Sequence, residues 1–425
     1  MKFDVKMDRT IAPRLQLPDH LNLIQPEKVN FGSGVDLFWM KNVPDESVKL
    51  EIEWPAGSRF QQQKLSAGFA SRMMLSGTNQ KTAASISEAI DFYGGFFSLE
   101  SDYDHGSITL FGLRNQMPHI LDLFFDAFDN AAFPDNELEK ERAISLEQFR
   151  IDEEKVKVIC RKHFAKALYG ESSPYGTVVY EKDFDLLKRP VISEFFKNRY
   201  SITKPTFFLS GNVSDEILNK LRDWSARFSS DAAVSTISTE TQQTGRVQLD
   251  QKNALQCAMR IGRVIFGKQH PDYFTFQVMN TILGGYFGSR LMTNIREDKG
   301  YTYGIGSGVA SMQDSSYFFI STETGREFRE KVIDEIGAEI ERLKSVPVGK
   351  DELEKVKNYL LGEFLRQSDG PHAMMDCFKN IWYHQLPPDY YNRFIQAVKT
   401  CCAEDIQRVT KDYLSQDSLV TVVAG

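Results

Sequence analysis

The sequence predicts an α+β protein built from two homologous domains, each a mostly antiparallel sheet with helices packed on it. Three observations carry this. Landmark motifs recur at a nearly constant offset, strand-like segments alternate with period two, and long helical patterns stand apart from the strands instead of alternating with them one for one. MLSG at Met74–Gly77 returns as ILGG at Ile282–Gly285, 208 positions on. ELEKERAISLEQFR from Glu137 returns as ELEKVKNYLLGEFLR from Glu352, 215 positions on. Tyr200 and Gly211 return as Tyr413 and Gly425, offsets of 213 and 214. The order is kept, so one unit of about 200 residues occurs twice, an ordinary domain size.

Taken in order, Val48–Trp54 alternates and reads as a strand, and Leu65–Leu75 follows as a helix. Ser85 and Glu88 have capping-box spacing and open a helix that ends at Gly94-Gly95. Strand patterns cover Phe96–Leu99 and Ser107–Leu113, and helical patterns cover Met117–Ala131, Glu137–Arg150 and Lys157–Ala167. In the second copy Ala258–Val264 and Ser315–Thr322 are the strands, and Tyr273–Leu283 is the first helix. Phe228–Gly245 is rich in Ser, Thr and Gln and reads as a linker, which sets the domains at 1–227 and 246–425.

With 425 residues and 41% hydrophobic content, the chain has ample core. Its 51 basic and 58 acidic side chains give a net charge of −7. That balance lacks the basic excess of a nucleic-acid binder. No apolar run reaches membrane-span length. MKFDVKMDRTIAPRL at the start has no apolar signal-peptide core. Five scattered cysteines without a CxxC fit reduced thiols, so the expected compartment is cytoplasmic.

The stretch Leu283–Gly304, LGGYFGSRLMTNIREDKGYTYG, is the most informative. Two glycines break a helix, a short amphipathic segment follows, and Arg296 and Tyr303 flank a turn that leads into a strand. Such a corner can aim both side chains at one ligand. The seven histidines include no pair four residues apart, so they read as structural. Asp104-His105 sets a carboxylate beside an imidazole, but neighbours in a strand point to opposite faces. No G-x-S-x-G elbow occurs.

His270–Ile305, Phe133–Gln148 and the repeat itself resemble the insulinase/pitrilysin-type metallopeptidase family, in particular its two-domain branch that includes the mitochondrial processing peptidase and bacterial relatives. The resemblance implies a helical H-x-x-E-H, in which two imidazoles one turn apart hold zinc and the glutamate between them serves as the base, with a distal Glu as third ligand. The matching positions here are Gly68, Ser71, Arg72 and Gln148, with Glu141 retained on the distal helix. Glycine offers no ligand atom, and arginine donates only and repels a cation. Serine is too weak a base, and a neutral amide is a poor zinc ligand beside a carboxylate.

By the same resemblance, Arg296 and Tyr303 match residues that hold the substrate peptide, which adds as a strand to a sheet edge. Some bacterial relatives work as unlike pairs in which one chain carries the zinc helix. The resemblance therefore implies a zinc-free, non-catalytic subunit of a heterodimeric peptidase, with the zinc on a paralogous partner chain and a peptide as substrate. Two other readings remain open: a structural or assembly protein, like the core proteins of the respiratory cytochrome bc complex, and a homodimeric peptide carrier. The short glycine-rich loop near Gly284 argues against a mitochondrial presequence role.

Overall fold

The structure is a computed structural model that describes residues 10, 20–41, 46–231, 237, 244–251 and 254–425. The first sheet holds β1 (Glu27–Asn30), β2 (Asp36–Met40), β3 (Ser47–Trp54), β4 (Phe96–Ser101), β5 (Gly106–Leu113) and β6 (Thr206–Gly211) in the order β1-β2-β6-β3-β5-β4. The second holds β7 (Gly245–Leu249), β8 (Gln256–Ile265), β9 (Thr302–Ser311), β10 (Ser316–Gly325) and β11 (Val420–Ala424) in the order β7-β11-β8-β10-β9. The last five strands of the first order and all five of the second follow one plan. Each sheet is antiparallel except for one parallel pair, β2 with β6 and β7 with β11. The repeat in the sequence is thus a repeat of topology.

The expected elements form at their places with shifted ends: Leu65–Leu75 shortens to Ser66–Met73 and Met117–Ala131 to Met117–Asp129, while others lengthen. The patterns at Glu137–Arg150 and Lys157–Ala167 become helices Asp135–Glu153 and Val156–Tyr169. One cap differs. The helix Ala83–Phe92 starts at Thr82, whose hydroxyl accepts from the Ser85 N–H, so the expected box at Ser85 and Glu88 lies inside the helix. Thr82 precedes the first turn in extended geometry, where a hydroxyl meets the orphan N–H groups. Much of the expected linker and most of the first 15 residues lie outside the described residues. Phe228, the first residue of that linker, is buried in the first core.

The halves are interlocked. The helix Val156–Tyr169 comes from the first copy but packs on the second sheet, with Ile159, Cys160, Phe164 and Leu168 against Ala258, Val420, Val422 and Ala424. Its repeat partner, the helix Pro371–Tyr383, packs on the first sheet, with Met375, Phe378 and Trp382 against Phe38, Met40 and Phe208. The two helices start 215 residues apart, the repeat offset, so the exchange is reciprocal. His372 fastens the second of them to the first sheet, with Nδ1 2.7 Å from the Ser210 hydroxyl and Nε2 3.0 Å from that of Ser47.

A buried ionic cluster sits on the same seam. Arg59 donates to Asp104 at 2.8 Å and to Asp314 of the second half at 2.5 Å. Asp104 also accepts from the Tyr175 hydroxyl at 2.8 Å, the Tyr383 hydroxyl at 2.9 Å and the Gln313 N–H at 3.0 Å. The side chains of Arg59 and Asp104 are each 1% exposed, so neither charge is supported by water. Burial pushes the Asp104 carboxyl up, but donation from Gln313, Tyr175, Tyr383 and Arg59 outweighs it and holds the pKa below the ordinary value. A depressed acid stabilises the fold fully above the unfolded value of about 3.9 and loses that contribution as pH falls through the folded value.

Breaking a buried pair strands the remaining charge. Arg59→Met is therefore expected to lower unfolding free energy by about 3–5 kcal/mol in denaturant titration. A loss below about 1 kcal/mol would mean that the cluster is not a structural clamp.

Candidate functional site

The first helix of the fold, Ser66–Met73, lies beside the edge strand β4 and carries Gly68, Ser71 and Arg72. The helix Asp135–Glu153 carries Glu141, Ser145 and Gln148 at spacings that place them on one face. Arg72 Nε donates to Glu141 Oε1 at 2.7 Å, and its other guanidinium nitrogen lies 3.5 Å from Ser145 Oγ. The guanidinium also stacks 4.7 Å from the centre of the Phe69 ring. It lies over Gly68, where an added Cβ would stand 3.3 Å from Arg72 Nη1. A side-chain cation thus meets the carboxylate that the family pattern retains. The Ser71 hydroxyl donates to the Glu100 carbonyl at 3.1 Å, and Gln148 donates its amide to Asp152 at 3.1 Å.

These residues do not fit zinc. The helix supplies no imidazole, its hydroxyl is committed to a carbonyl, and the fixed charge of Arg72 opposes a divalent ion. Among the described residues no group of three or more His, Cys, Asp or Glu side chains is gathered to hold a metal.

The helix instead floors a cleft of about 460 Å³. Its walls include Gly68, Ser71 and Arg72 from the helix, Glu53 from β3, His105 from the β4–β5 turn, and Lys379 and Tyr383 from the exchanged helix. Glu53 lies 2.8 Å from Lys379 Nζ, and Lys379 also pairs with Glu51. Burial raises the Glu53 pKa against the opposing pull of Lys379. His105 Nε2 stands 3.6 Å from Glu53 Oε1, too far for a hydrogen bond. Burial pushes the imidazole down to about 4, so it is neutral at pH 7.

The sequence pattern points to Gly68, Ser71 and Arg72 but not to Glu53, His105, Lys379 or Tyr383. Asp104 and His105 were expected to diverge as strand neighbours. They lie in the turn between β4 and β5, where Asp104 enters the Arg59 cluster and His105 faces Glu53 and meets Tyr383 in a tilted contact with ring centres 4.4 Å apart. The Asp-His adjacency was the available signal. Lys379 and Tyr383 carried none, because only the helix exchange brings them here.

Arg296 and Tyr303 sit elsewhere and do not line this cleft. The helix Tyr273–Asn280 continues as a wider turn at Thr281–Gly285. Gly284 is required there, because an added Cβ would lie 2.7 Å from the Ser307 nitrogen of β9. Arg296 lies in the last turn of the next helical segment, Met292–Asp298, and its guanidinium lies 4.8 Å from the centre of the Phe287 ring. Tyr303 is on β9, at the edge of the second sheet, where the register with β10 shifts between Thr322 and Thr324. The Thr302 hydroxyl locks this irregularity by donating to the Glu323 carbonyl at 2.6 Å. Tyr303 is left 92% exposed.

Family models match two parts of this chain: residues 38–177 match the insulinase (peptidase family M16) model, and residues 187–360 match the peptidase M16 inactive domain. The chain belongs to the insulinase family. The uncharacterized zinc protease YmxG of Bacillus subtilis is 23% identical over 346 residues, covering 81% of this chain and 84% of that protein. A crystal structure of a peptidase M16 inactive domain from Pseudomonas fluorescens superposes with a TM-score of 0.84 at 21% identity, covering 94% of this chain and 98% of the other. A protease from Helicobacter pylori superposes with a TM-score of 0.81 at 16% identity, over 95% of this chain and all of the other. These structural likenesses establish the fold. Among the described residues no helix is long and apolar enough to cross a membrane.

The donor set leads to a two-sided expectation. Calorimetric titration of zinc into the purified chain should show no stoichiometric binding, while the variant G68H/S71E/R72H/Q148E should gain a site. Stoichiometric zinc in the unaltered chain would contradict the assignment.

Proposed function

We propose that this insulinase-family chain is the zinc-free, non-catalytic subunit of a heterodimeric peptidase. A paralogous partner carries the zinc, and this chain contributes peptide binding from its C-terminal domain. The observation that carries the reading is the Arg72–Glu141 ion pair at 2.7 Å, which puts a side-chain cation against the carboxylate beside the former metal positions. A chain arranged in this way has no means of activating water on that helix.

The C-terminal corner supports the second half of the proposal. β9 is an edge strand, whose unpaired backbone groups can take a peptide as an added strand. Arg296 is preorganised by its ring contact, and Tyr303 offers a phenol to the solvent side. In this reading Arg296 donates to a peptide carbonyl and Tyr303 hydrogen-bonds the backbone of the bound strand. Metallopeptidase activity then belongs to the pair and not to this chain alone.

The test uses the chain alone and mixed with its zinc-bearing paralogue. Alone, it should not cleave peptides. In the mixture Arg296→Ala should lower kcat/KM about tenfold or more without changing the amount of complex recovered by size exclusion. Peptide cleavage by the metal-bearing chain alone at the full rate would show that this subunit is not needed, and would move the reading to an assembly protein.

A further inference from the structure

We infer that a second cleft, lined by the helix Arg189–Phe196 and the turn Ser58–Phe60, binds a carboxylate on the Arg199 guanidinium, with the apolar body of the ligand against Val191 and Phe195. Neither Arg72 nor Arg296 lines this cleft, so the inference does not rest on the function proposed above.

The helix Arg189–Phe196 does not end as an ordinary α-helix. It runs on as a wide turn, Lys197–Ser201, and the Thr203 hydroxyl fixes the exit by donating to the Asn198 carbonyl at 2.8 Å. Turns of this kind are rare and recur at functional sites. This one carries Arg199, whose guanidinium lies over the Phe60 ring, 4.3 Å from its centre, on the wall of the cleft. Arg199 is half-buried, and it has no ion pair or hydrogen bond among the described residues. Burial alone acts on its pKa and pulls it down, with no carboxylate near enough to oppose the shift. The guanidinium still keeps its charge at pH 7. A cation partly withdrawn from water, with no counter-charge, is unfavourable until an anion meets it. The repeat shows that the scaffold does not require this cation. In the second copy the matching helix, Ala403–Tyr413, is regular, and Asp412 precedes the shared tyrosine where Arg199 does in the first.

The lining selects the anion. A guanidinium is a planar fork of N–H donors that matches a carboxylate with two parallel hydrogen bonds. Contact with the Phe60 face occupies its plane and leaves its edges for a ligand. Two acidic residues share the lining, Glu194 and Asp231. Asp231 is paired with Lys204 at 3.0 Å, so Glu194 is the acid left beside the single free cation of the lining. A second negative charge on the ligand would find no partner, which favours a carboxylate over a dianionic phosphate. Val191, Phe195 and the exposed part of the Phe60 ring give the cleft an apolar side, and the Gln62, Gln63 and Asn198 amides give it a polar one. The volume of about 510 Å³ falls within the roughly 300–1,000 Å³ of small-ligand sites.

The carboxylate can come from a peptide C-terminus, an acidic side chain or a small free acid, and the test separates them. The purified full chain is titrated by calorimetry with five probes. Three carry a carboxylate: an N-acetylated peptide that ends in phenylalanine and has no acidic side chain, the C-amidated form of that peptide with one internal glutamate, and benzoate. The fourth is the C-amidated peptide without glutamate, and the fifth is phenyl phosphate. We expect at least one carboxylate probe to bind at least about tenfold more tightly than the amidated control, and Arg199→Met to erase that preference. Arg199→Lys keeps the charge without the fork. It is expected to weaken the same probe at least about threefold, and it carries the test if the Met variant does not fold. Carboxylate probes that bind no better than the amidated control overturn the proposal. So does a preference that survives in folded Arg199→Met or is unchanged in Arg199→Lys, and so does phenyl phosphate binding more tightly than every carboxylate. None of these results bears on the Arg296 corner, which is read out by turnover in the assembled pair.

Discussion

The arrangement depends on a guanidinium held between carboxylates from two halves of the chain. Arg59 and Asp104 come from the first copy of the repeat, and Asp314 comes from the second. A buried pair of this kind is weak evidence for net stability, because desolvation of both ions offsets much of their attraction. Its effect is on geometry. Removing any partner strands a charge, so a docking of the halves that satisfies Arg59, Asp104 and Asp314 together is favoured over one that leaves any of them unpaired. Tyr175, Tyr383 and the Gln313 N–H fill further acceptor sites of Asp104 and extend the requirement to the loop after the helix Val156–Tyr169, to the exchanged helix and to the second sheet's β9–β10 turn.

The helix exchange explains why the cleft exists. Without it, Lys379 and Tyr383 would lie on their own domain, and Glu53 would face solvent. With it, a cation from one copy is set against two strand carboxylates of the other, Glu51 and Glu53. Burial raises the Glu53 pKa while Lys379 pulls it down, so the carboxyl is balanced by a single neighbour on one oxygen only. The same packing that closes the seam leaves the second oxygen without a partner. The clamp and the cleft are therefore two results of one interface.

How far the sequence could be read follows from the range of the interactions. Helices and strands are set by local periodicity, and the Val48–Trp54 and Ala258–Val264 patterns appear as central strands of their sheets. The positions Gly68, Ser71 and Arg72 were legible because one helix turn carries the spacing. The contact between Arg72 and Glu141 was not, because it depends on how two helices 69 residues apart cross. An amphipathic pattern says that a helix has a face to bury, and it does not say which sheet covers that face. Hence Lys157–Ala167 was assigned to its own domain by chain order, while the structure packs it on the other sheet. Asp104 and His105 do diverge, but as members of a turn and not by strand parity.

The positions that match the family's zinc helix show how a side-chain cation can stand where the family pattern puts an ion. A carboxylate left beside a vacated cation site would face uncompensated neighbours, and the simplest remedy is a positive side chain on the same helix. Arg72 meets this need, since its fork reaches Glu141 and Ser145 while its plane rests on Phe69. A guanidinium at this place supplies positive charge to Glu141 but no Lewis acidity. A fold can therefore lose water activation at this position without losing the packing that shapes the adjacent cleft. In the proposed pairing, this separation lets one architecture serve a catalytic chain and a non-catalytic one.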